Sequence, residues 1–176
     1  MQAGVGIGGG PEYGKREMDL SEEFRRATQA DVAAIRDLTR AAYAKWVPVI
    51  GREPKPMGAD YESAVQNHRF DLLYLGDVLA GLIETVDESN QLLIENVAVS
   101  PEFQGLGLGS KLMAHAEEIA TSLGYDRVWL YTNQRFTDNI ALYRKLGYHI
   151  EREEDVGGGT IKVDMSKTLS RQPRQL

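Results

Sequence analysis

The stretch Leu92–Met113, LLIENVAVSPEFQGLGLGSKLM, predicts a strand, a loop and the start of a helix. Residues 92–99 are mostly apolar or β-branched, as expected of a strand that is buried on at least one face. Ser100 and Pro101 end this strand, because proline lacks the N–H that a sheet ladder needs and restricts the residue before it. From Ser110 onward the apolar residues recur at spacings of three and four, which indicates a core-facing helix.

The loop before this helix contains three glycines, Gly105, Gly107 and Gly109. No Cβ atom shields the backbone N–H groups at these positions. A helix that starts here has several N–H groups without intrahelical acceptors and a partial positive charge at its end. Phosphate oxygens suit such a site, although glycines also serve tight turns that bind nothing.

Two familiar phosphate-binding motifs do not match this loop. A P-loop has Lys followed by Ser or Thr after its last glycine, whereas Gly109 is followed by Ser110 and then Lys111. A dinucleotide fingerprint begins directly after a strand, whereas several residues separate Val99 from Gly105. The sequence therefore excludes both motifs.

The segment Gln104–Gly109, QGLGLG, instead resembles the acetyl-CoA-binding motif of the GNAT family of N-acetyltransferases. The family pattern is Gln or Arg, two residues, Gly, one residue, and Gly or Ala; Gln104, Gly107 and Gly109 match it. A second family signature resembles residues 139–148, NIALYRKLGY. Two signatures in the expected order are more specific than either alone.

This resemblance implies that acetyl-CoA binds as a co-substrate and that no metal is needed. The backbone of Val97, Ala98 and Val99 is expected to pair with the pantetheine arm, and Asn139 is expected to contact coenzyme A. The pyrophosphate is expected at the glycine loop, with contributions from Gln104, Gly105, Leu106, Gly107, Leu108, Gly109 and Ser110.

The resemblance also implies that Tyr143 donates a proton to the sulfur of coenzyme A. The alternative is that Tyr143 is an aromatic core residue that packs with Leu142 and Leu146. An amine with an ordinary pKa of about 10 needs a base before it attacks a thioester. Glu95 is our first candidate for that base and Glu84 the second. Strand alternation places Glu95 on the face of Val97 and Val99 unless a bulge intervenes.

The composition is typical of a soluble globular protein with one domain: 176 residues, 42% hydrophobic and 26% charged. A net charge of -6 and a pI of about 5.1 argue against non-specific binding to nucleic acid. Because the chain has no cysteine, a thiolate metal site and a cysteine nucleophile are excluded, and acetyl transfer is expected to be direct. No apolar run predicts a membrane span and no signal peptide is recognised, so we expect a cytoplasmic protein. A homodimer, which is common in the family, stays open.

The order of predicted elements corresponds to one α/β domain of GNAT type over residues 24–168. We expect a mixed, mostly antiparallel sheet of about seven strands, flanked by about four helices. Residues 1–23 are predicted to be disordered or poorly ordered, and residues 169–176 to form a loose tail.

Local signals locate several helix ends and turns. Thr28 with Asp31, Asp60, and either Thr137 or Asp138 are predicted helix caps, and Gly147 is predicted to end a helix. A two-residue turn at 76–77 predicts a hairpin. The prolines and glycine within residues 45–57 rule out one regular element there.

Aromatic and histidine residues give weaker functional signals. Tyr43, Trp46 and Tyr61 are candidate walls of an acceptor site, or simply residues that pack helices against the sheet. The three histidines, His68, His115 and His149, lack the spacing of metal ligands and are predicted at the surface or at edges.

The sequence thus predicts an N-acetyltransferase that moves the acetyl group of acetyl-CoA to an amine of a small molecule or peptide. The alternative is a GNAT-like regulatory domain that binds coenzyme A or a metabolite without turnover. A longer acyl donor is not excluded, and the sequence does not identify the amine.

Overall fold

The computed structural model describes residues 21–170. Their strands are β1 (Glu22–Arg26), β2 (Arg69–Leu75), β3 (Val78–Asp87), β4 (Leu92–Val99), β5 (Arg127–Asn133), β6 (His149–Asp155) and β7 (Ile161–Thr168). Their helices are α1 (Val32–Tyr43), the one-turn helix α2 (Val47–Ile50), α3 (Tyr61–Asn67), α4 (Leu108–Ser122) and α5 (Thr137–Lys145).

The seven strands form one sheet in the order β1-β2-β3-β4-β5-β7-β6. All neighbouring strands are antiparallel except β4 and β5, which are parallel. A parallel pair needs a crossover, and helix α4 supplies it. The predicted mixed and mostly antiparallel sheet is confirmed, and α2 adds a single turn to the expected four helices.

Two layers of apolar side chains cover the two faces of the sheet. On one face, the core contains residues of α4 together with residues of β3, β4, β5 and β7, among them Leu112, Met113, Ala116, Ile83, Ile94, Val128 and Met165. On the other face, α1 and α3 cover β2 and β3 through a second set that includes Ile35, Leu38, Tyr61, Phe70, Leu72 and Leu82. The helical spacing of the apolar residues in α1 and α4 produces these two layers.

Most of the predicted turns and caps are present. Thr28 and Asp31 form a reciprocal capping box, and the Asp60 carboxylate accepts the Ser63 N–H at 3.1 Å. Gly76 lies in the β2–β3 turn with a φ angle of 56°, and Gly147 follows α5 with a φ angle of 95°. Both conformations favour glycine, as the hairpin and the helix end require.

The predicted cap of α5 is wrong. Neither Thr137 nor Asp138 is the N-cap; this position is occupied by Phe136, whose side chain makes no capping bond. The Phe136 ring instead stacks on Trp46, with 4.7 Å between ring centroids. Tertiary packing thus determines where this helix begins.

The ends of the described chain join the sheet. β1 begins at Glu22, within the segment that the sequence predicts to be poorly ordered. Leu169 follows β7, donates its N–H to the Asp126 carbonyl at 2.7 Å and packs against the core. The predictions for residues 1–20 and 171–176 lie outside the described residues.

Candidate active site

Strands β4 and β5 pair over part of their length and then separate. The parallel ladder contains three residue pairs, of which the last joins Ile94 to Leu130. Strand β4 nevertheless continues to Val99, and β5 continues to Asn133. A gap therefore opens in the middle of the sheet beyond Ile94.

A β-bulge lies where this gap opens. In the ladder with β3, Asn96 pairs with Glu84 and Ile94 pairs with Thr85, which leaves Glu95 as the extra residue. An extra residue interrupts the alternation of side chains between the two faces. Glu95 and Asn96 both line the same cavity as a result.

The bulge separates Glu95 from the residues with which simple alternation grouped it. Val97 and Val99 pack against the α4 core. Glu95 accepts a hydrogen bond from Tyr131, which is not part of that core. The exception that the sequence left open is therefore present: a bulge intervenes, and Glu95 does not share the face of Val97 and Val99.

The backbone of Val97 and Val99 faces the gap. Ser100 donates its N–H to the Ala80 carbonyl of β3 at 2.8 Å. In an antiparallel ladder, every second residue directs its N–H and C=O to the same neighbouring strand. Ala98 and Ser100 therefore bond to β3, whereas Val97 and Val99 direct theirs toward the gap. The expected pairing of a ligand with the backbone of Ala98 does not fit this register.

The glycine loop ends in an exposed helix N-terminus. Gly105 and Gly107 have φ angles of 82° and 81°, a region that glycine adopts without strain. Gly107 is the N-cap of α4, and the Lys111 N–H donates to its carbonyl at 3.3 Å. The N–H groups of residues 108–110 precede that bond and have no acceptor within the helix. This is the geometry that suits phosphate oxygens.

Besides its place in the glycine loop, Gly109 allows a close contact between two helices, which the sequence did not predict. It lies within the first turn of α4, and a Cβ at this position would meet the Leu142 Cδ2 atom at 3.2 Å. Its lack of a side chain lets α4 approach α5 closely. The loop is thereby held next to the helix that carries Tyr143.

The Gln104 side chain ties the glycine loop to the gap. Its Nε2 donates to the Val99 carbonyl at 3.0 Å, and its Oε1 accepts a hydrogen bond from Lys45 Nζ at 3.2 Å. Gln104 therefore fixes the loop against the end of β4 and brings one cation beside it.

A cavity of about 340 Å³ lies against the separated parts of β4 and β5. Helices α1, α3 and α5, strands β3 to β5, and the segment between β6 and β7 all contribute to its lining. The polar and aromatic side chains that line its inner part are Tyr43, Tyr61, His68, Glu84, Glu95, Asn96, Tyr131, Asn139 and Tyr143.

Two carboxylates of this lining have different partners. Glu84 is buried and lies 2.6 Å from Nδ1 of His68. Burial raises the pKa of the Glu84 carboxyl, while the bond with His68 opposes the shift. Glu95 is half-buried and accepts the Tyr131 hydroxyl at 2.5 Å. The pKa of that phenol is raised, first by burial and then by the hydrogen bond to Glu95.

Asn96, which pairs with Glu84 across β3 and β4, hydrogen-bonds to two tyrosines of the lining. Its Oδ1 accepts the Tyr43 hydroxyl at 2.9 Å, and its Nδ2 lies 3.5 Å from the Tyr61 hydroxyl. The Tyr61 hydroxyl donates to the Pro56 carbonyl at 2.6 Å. Burial raises the pKa of Tyr43 well above its usual value and that of Tyr61 to about 12, so both phenols are neutral donors at neutral pH.

Of the three aromatic residues that are candidate walls of an acceptor site, two line the cavity. Tyr43 and Tyr61 line the cavity. Trp46 is buried in its stack with Phe136, and Phe136 provides the lining there. Trp46 therefore does not line the cavity itself but packs against Phe136, which does.

Tyr143 lies on α5 and lines the cavity, one helical turn after Asn139. Its side chain is only 9% exposed and also belongs to the α4 core, with its ring 6.3 Å from that of Tyr148. Burial raises the pKa of the Tyr143 phenol to about 12. A phenol in this environment keeps its proton at neutral pH and can donate it within the cavity.

Residues 32–148 match the family model described as the acetyltransferase (GNAT) family. The chain belongs to this family. It is also 33% identical over 79 residues to the uncharacterised N-acetyltransferase YvbK of Bacillus subtilis, a match that covers 44% of the chain and 51% of that protein. The chain thus spans about half the length of this GNAT relative.

Two solved GNAT structures share the fold. The ribosomal-protein-S18-alanine N-acetyltransferase of Escherichia coli aligns with a TM-score of 0.71 and 19% identity, over 89% of this chain and 99% of that one. The PaiA N-acetyltransferase of Thermoplasma acidophilum, solved in complex with coenzyme A, aligns with a TM-score of 0.70 and 19% identity, over 84% and 99%. At these identities the likeness concerns the GNAT fold alone.

The structure brings together most of the residues that the GNAT resemblance singled out. Tyr143, Glu95, Asn139 and Val97 line one cavity, while Gln104 and the glycine loop lie at the end of the adjoining gap. His68 is partly exposed at the end of α3, in agreement with the prediction of a surface or edge residue, but it also lines this cavity and contacts Glu84.

Asn96 and Tyr131 were not singled out from the sequence, although both contact residues of the site. Each lies on a strand, and the sequence alone does not show which strand residues face a site, because that depends on the sheet register.

In the part of the chain that the structure describes, no group of three or more His, Cys, Asp or Glu side chains is placed to hold a metal ion. Within residues 21–170, no helix is both long and apolar enough to cross a membrane.

Replacing Glu84 tests the effect of its burial without an activity assay. A carboxyl group with a raised folded-state pKa destabilises the fold as pH rises from the unfolded pKa to the folded one, because the unfolded chain releases its proton first. Gln lacks this charge. We therefore expect the free energy of unfolding of Glu84→Gln, relative to the wild type, to increase as pH rises above about 4.3.

Urea denaturation between about pH 3 and pH 8 measures this difference. Glu53→Gln is the matched control, because the Arg40 guanidinium lowers the pKa of the Glu53 carboxyl. The same linkage predicts the opposite slope in a lower pH window: the control loses stability relative to the wild type as pH rises through about 4.3, and the difference is then level up to pH 8. A flat or falling difference for Glu84→Gln contradicts the expected effect of burial.

Proposed function

We propose that this GNAT chain is an N-acetyltransferase that transfers the acetyl group of acetyl-CoA directly to an amine of a small molecule or peptide. One observation carries the proposal: the gap between β4 and β5 opens beside a cavity that contains both carboxylates and the Tyr143 phenol. We further propose a cytoplasmic location, as expected from the sequence.

Acetyl-CoA is proposed to lie with its pantetheine arm in the gap. The arm has amide groups that can pair with the backbone of Val97 and Val99 as a strand would. The pyrophosphate is proposed to bind the N–H groups of residues 105–110, with Lys45 supplying a nearby positive charge. Asn139 is proposed to contact the arm from α5. The free N–H groups and the left-handed conformations of Gly105 and Gly107 support this arrangement.

The acceptor amine is proposed to enter from the side of Glu84 and Glu95. At neutral pH an ordinary amine is protonated and cannot attack a carbonyl carbon. We propose that Glu95, directly or through a water molecule, removes this proton, because its bulge position is nearer the gap than that of Glu84 on β3. Glu84 and its partner His68 are proposed to contribute to the electrostatic environment of the amine.

The neutral amine is proposed to attack the acetyl carbonyl carbon, forming the new C–N bond. The Val97 N–H, which faces the gap, is placed to stabilise the negative charge that develops on the carbonyl oxygen. As the C–S bond breaks, Tyr143 is proposed to protonate the departing sulfur. The attacking nitrogen then releases its remaining excess proton to solvent, and Tyr143 regains a proton from solvent. The products are the N-acetylated amine and free coenzyme A.

A panel of amines tests the proposal with the full chain. Thiol release from acetyl-CoA is followed with amino acids, dipeptides, polyamines and aminoglycosides, and calorimetry measures the binding of coenzyme A separately. We expect micromolar to millimolar coenzyme A binding and amine-dependent thiol release for at least one class, together with a mass increase of the acceptor by one acetyl group. Binding of coenzyme A without turnover of any amine would instead favour a non-catalytic regulatory domain.

A further inference from the structure

The charged side chains that line the cavity differ in burial. Glu84 is buried and Glu95 half-buried, whereas the cationic side chains of Arg52 and Lys55 are exposed. A third cation, Lys162, lies over the ring of Tyr131, the partner of Glu95. Arg52 and Lys55 come from the segment between α2 and α3, and both are exposed. In a chain with a net charge of -6, this is a local reversal of sign.

Arg52 extends between two segments that border the cavity. Its Nη2 donates to the Thr160 Oγ1 at 3.3 Å, and its Nη1 contacts the Glu53 carbonyl at 3.5 Å. Thr160 lies between β6 and β7 and also lines the cavity. The Arg52 guanidinium group thus joins the segment after α2 to the segment between β6 and β7.

The positive charge of Arg52 and Lys55 is not neutralised within the described chain. The carboxylate next to Arg52, that of Glu53, is bound by Arg40 at 2.8 Å. Among residues 21–170, no carboxylate lies within 4.0 Å of the cationic nitrogens of Arg52 or Lys55. Lys162 differs from them, because it lies 3.4 Å from Asp164.

The glycine loop has a separate cation. Lys45 donates to Gln104 at 3.2 Å and lies over the Trp46 ring at 5.0 Å from its centroid. Arg52 and Lys55 instead line the cavity on which the acceptor side of the proposed reaction depends. Their charges are therefore available to the acceptor.

We propose that the acceptor amine carries a carboxylate, and that Arg52 and Lys55 bind this carboxylate while the amine points to Glu84 and Glu95. This inference rests on the proposed function and names its substrate class: free amino acids and related small zwitterions. The opposite charges of these buried and exposed side chains orient such a molecule, because the carboxylates of Glu84 and Glu95 attract the ammonium and repel the carboxylate. A guanidinium group binds a carboxylate through two parallel hydrogen bonds, which adds directional specificity.

Matched pairs of acceptors test the inference with the full chain. Each pair is an L-amino acid and its carboxamide, which differ in the negative charge but keep the amine. We expect the wild type to prefer the acid over the amide by at least about 10-fold in kcat/KM, as for loss of one charge-assisted contact. Arg52→Gln should reduce this preference to about 2-fold or less by raising KM for the acid, and Lys55→Gln should reduce it partly. Arg52→Glu should reverse it in favour of the amide.

Controls separate this role from coenzyme A binding and from general damage. Arg152→Gln removes an exposed arginine on β6 that pairs with Glu154, and it should leave the preference unchanged. The dissociation constant of coenzyme A, measured by calorimetry, should change by less than about 3-fold in Arg52→Gln. If this variant weakens coenzyme A binding 10-fold instead, Arg52 serves the co-substrate and the inference is overturned.

The two proposals fail in different ways. If the wild type acetylates no amine at all, the proposed function itself fails. If the wild type acetylates amides or diamines as well as amino acids, and Arg52→Gln changes nothing, the enzyme activity stands and the carboxylate preference is refuted.

Discussion

Replacing Tyr143 by Phe should lower kcat about 100-fold while the dissociation constant of coenzyme A changes less than about 3-fold. The phenol lines the cavity and is almost fully buried, and its pKa of about 12 keeps it protonated throughout the pH range of the assay. Loss of a general acid typically costs 10²- to 10⁴-fold, and the low end applies where solvent can replace the donor. Steady-state kinetics with the best amine of the panel, together with calorimetry on coenzyme A, measures both quantities.

Tyr148→Phe is the matched control for this change. Tyr148 is buried, and its ring centroid lies 6.3 Å from that of Tyr143. Its hydroxyl, however, donates a hydrogen bond to the Glu117 carboxylate at 3.2 Å. We expect Tyr148→Phe to lower stability and to leave kcat within about 3-fold. If Tyr143→Phe keeps full kcat, the sulfur receives its proton from another source and the proposed role of Tyr143 is wrong.

The fold of this chain was predictable because its signals are local. Pro101, the loop glycines and the Gly76-Asp77 turn each restrict the backbone at their own position, whatever the rest of the chain does. The apolar periodicities of α1 and α4 identify the faces that must be buried. These signals suffice for the element order, whereas the family resemblance rests on the two signatures at residues 104–109 and 139–148.

The details of the site were less predictable because they depend on sheet register and tertiary packing. A bulge in the β3–β4 ladder determines the side of the sheet on which Glu95 lies, and no residue type near Glu95 predicts that bulge. The contact between His68 and Glu84 joins the end of α3 to the middle of β3. The stack of Phe136 on Trp46 displaces the expected cap of α5. Each case involves residues that are distant in sequence.

The bulge also explains why two carboxylates enter one cavity. With regular alternation, Glu95 would follow Val97 and Val99 into the α4 core, where an ionised carboxylate is costly. The extra residue instead turns Glu95 toward Tyr131, at the point where β4 leaves β5. The bulge lies where the gap opens and places a carboxylate beside it, which is why we propose Glu95, and not Glu84, as the base.

Glu95→Gln should lower kcat/KM about 100-fold at pH 7, and the loss should shrink as pH rises toward 10. A base is needed only while the acceptor is an ammonium ion, and an amine with an ordinary pKa of about 10 deprotonates in solution over that range. Gln keeps the shape of Glu95 and can still accept the Tyr131 hydroxyl, so the change removes mainly the charge. Measuring kcat/KM of the wild type and variant from pH 6.5 to pH 10 gives the ratio at each pH.

Two further variants decide whether Glu95 acts as the base or merely binds the ammonium ion. Tyr131→Phe removes the hydrogen bond but keeps the carboxylate, so we expect a loss of about 10-fold or less. Glu84→Gln keeps Glu95 intact and should lower kcat/KM less than Glu95→Gln at every pH. Because an ammonium-binding site becomes unnecessary at high pH as well, the diagnostic quantity is kcat at saturating amine: it falls if Glu95 accepts the proton and holds if Glu95 only attracts the substrate. A larger loss in Glu84→Gln than in Glu95→Gln transfers the proposed role to Glu84, since both carboxylates line the same cavity.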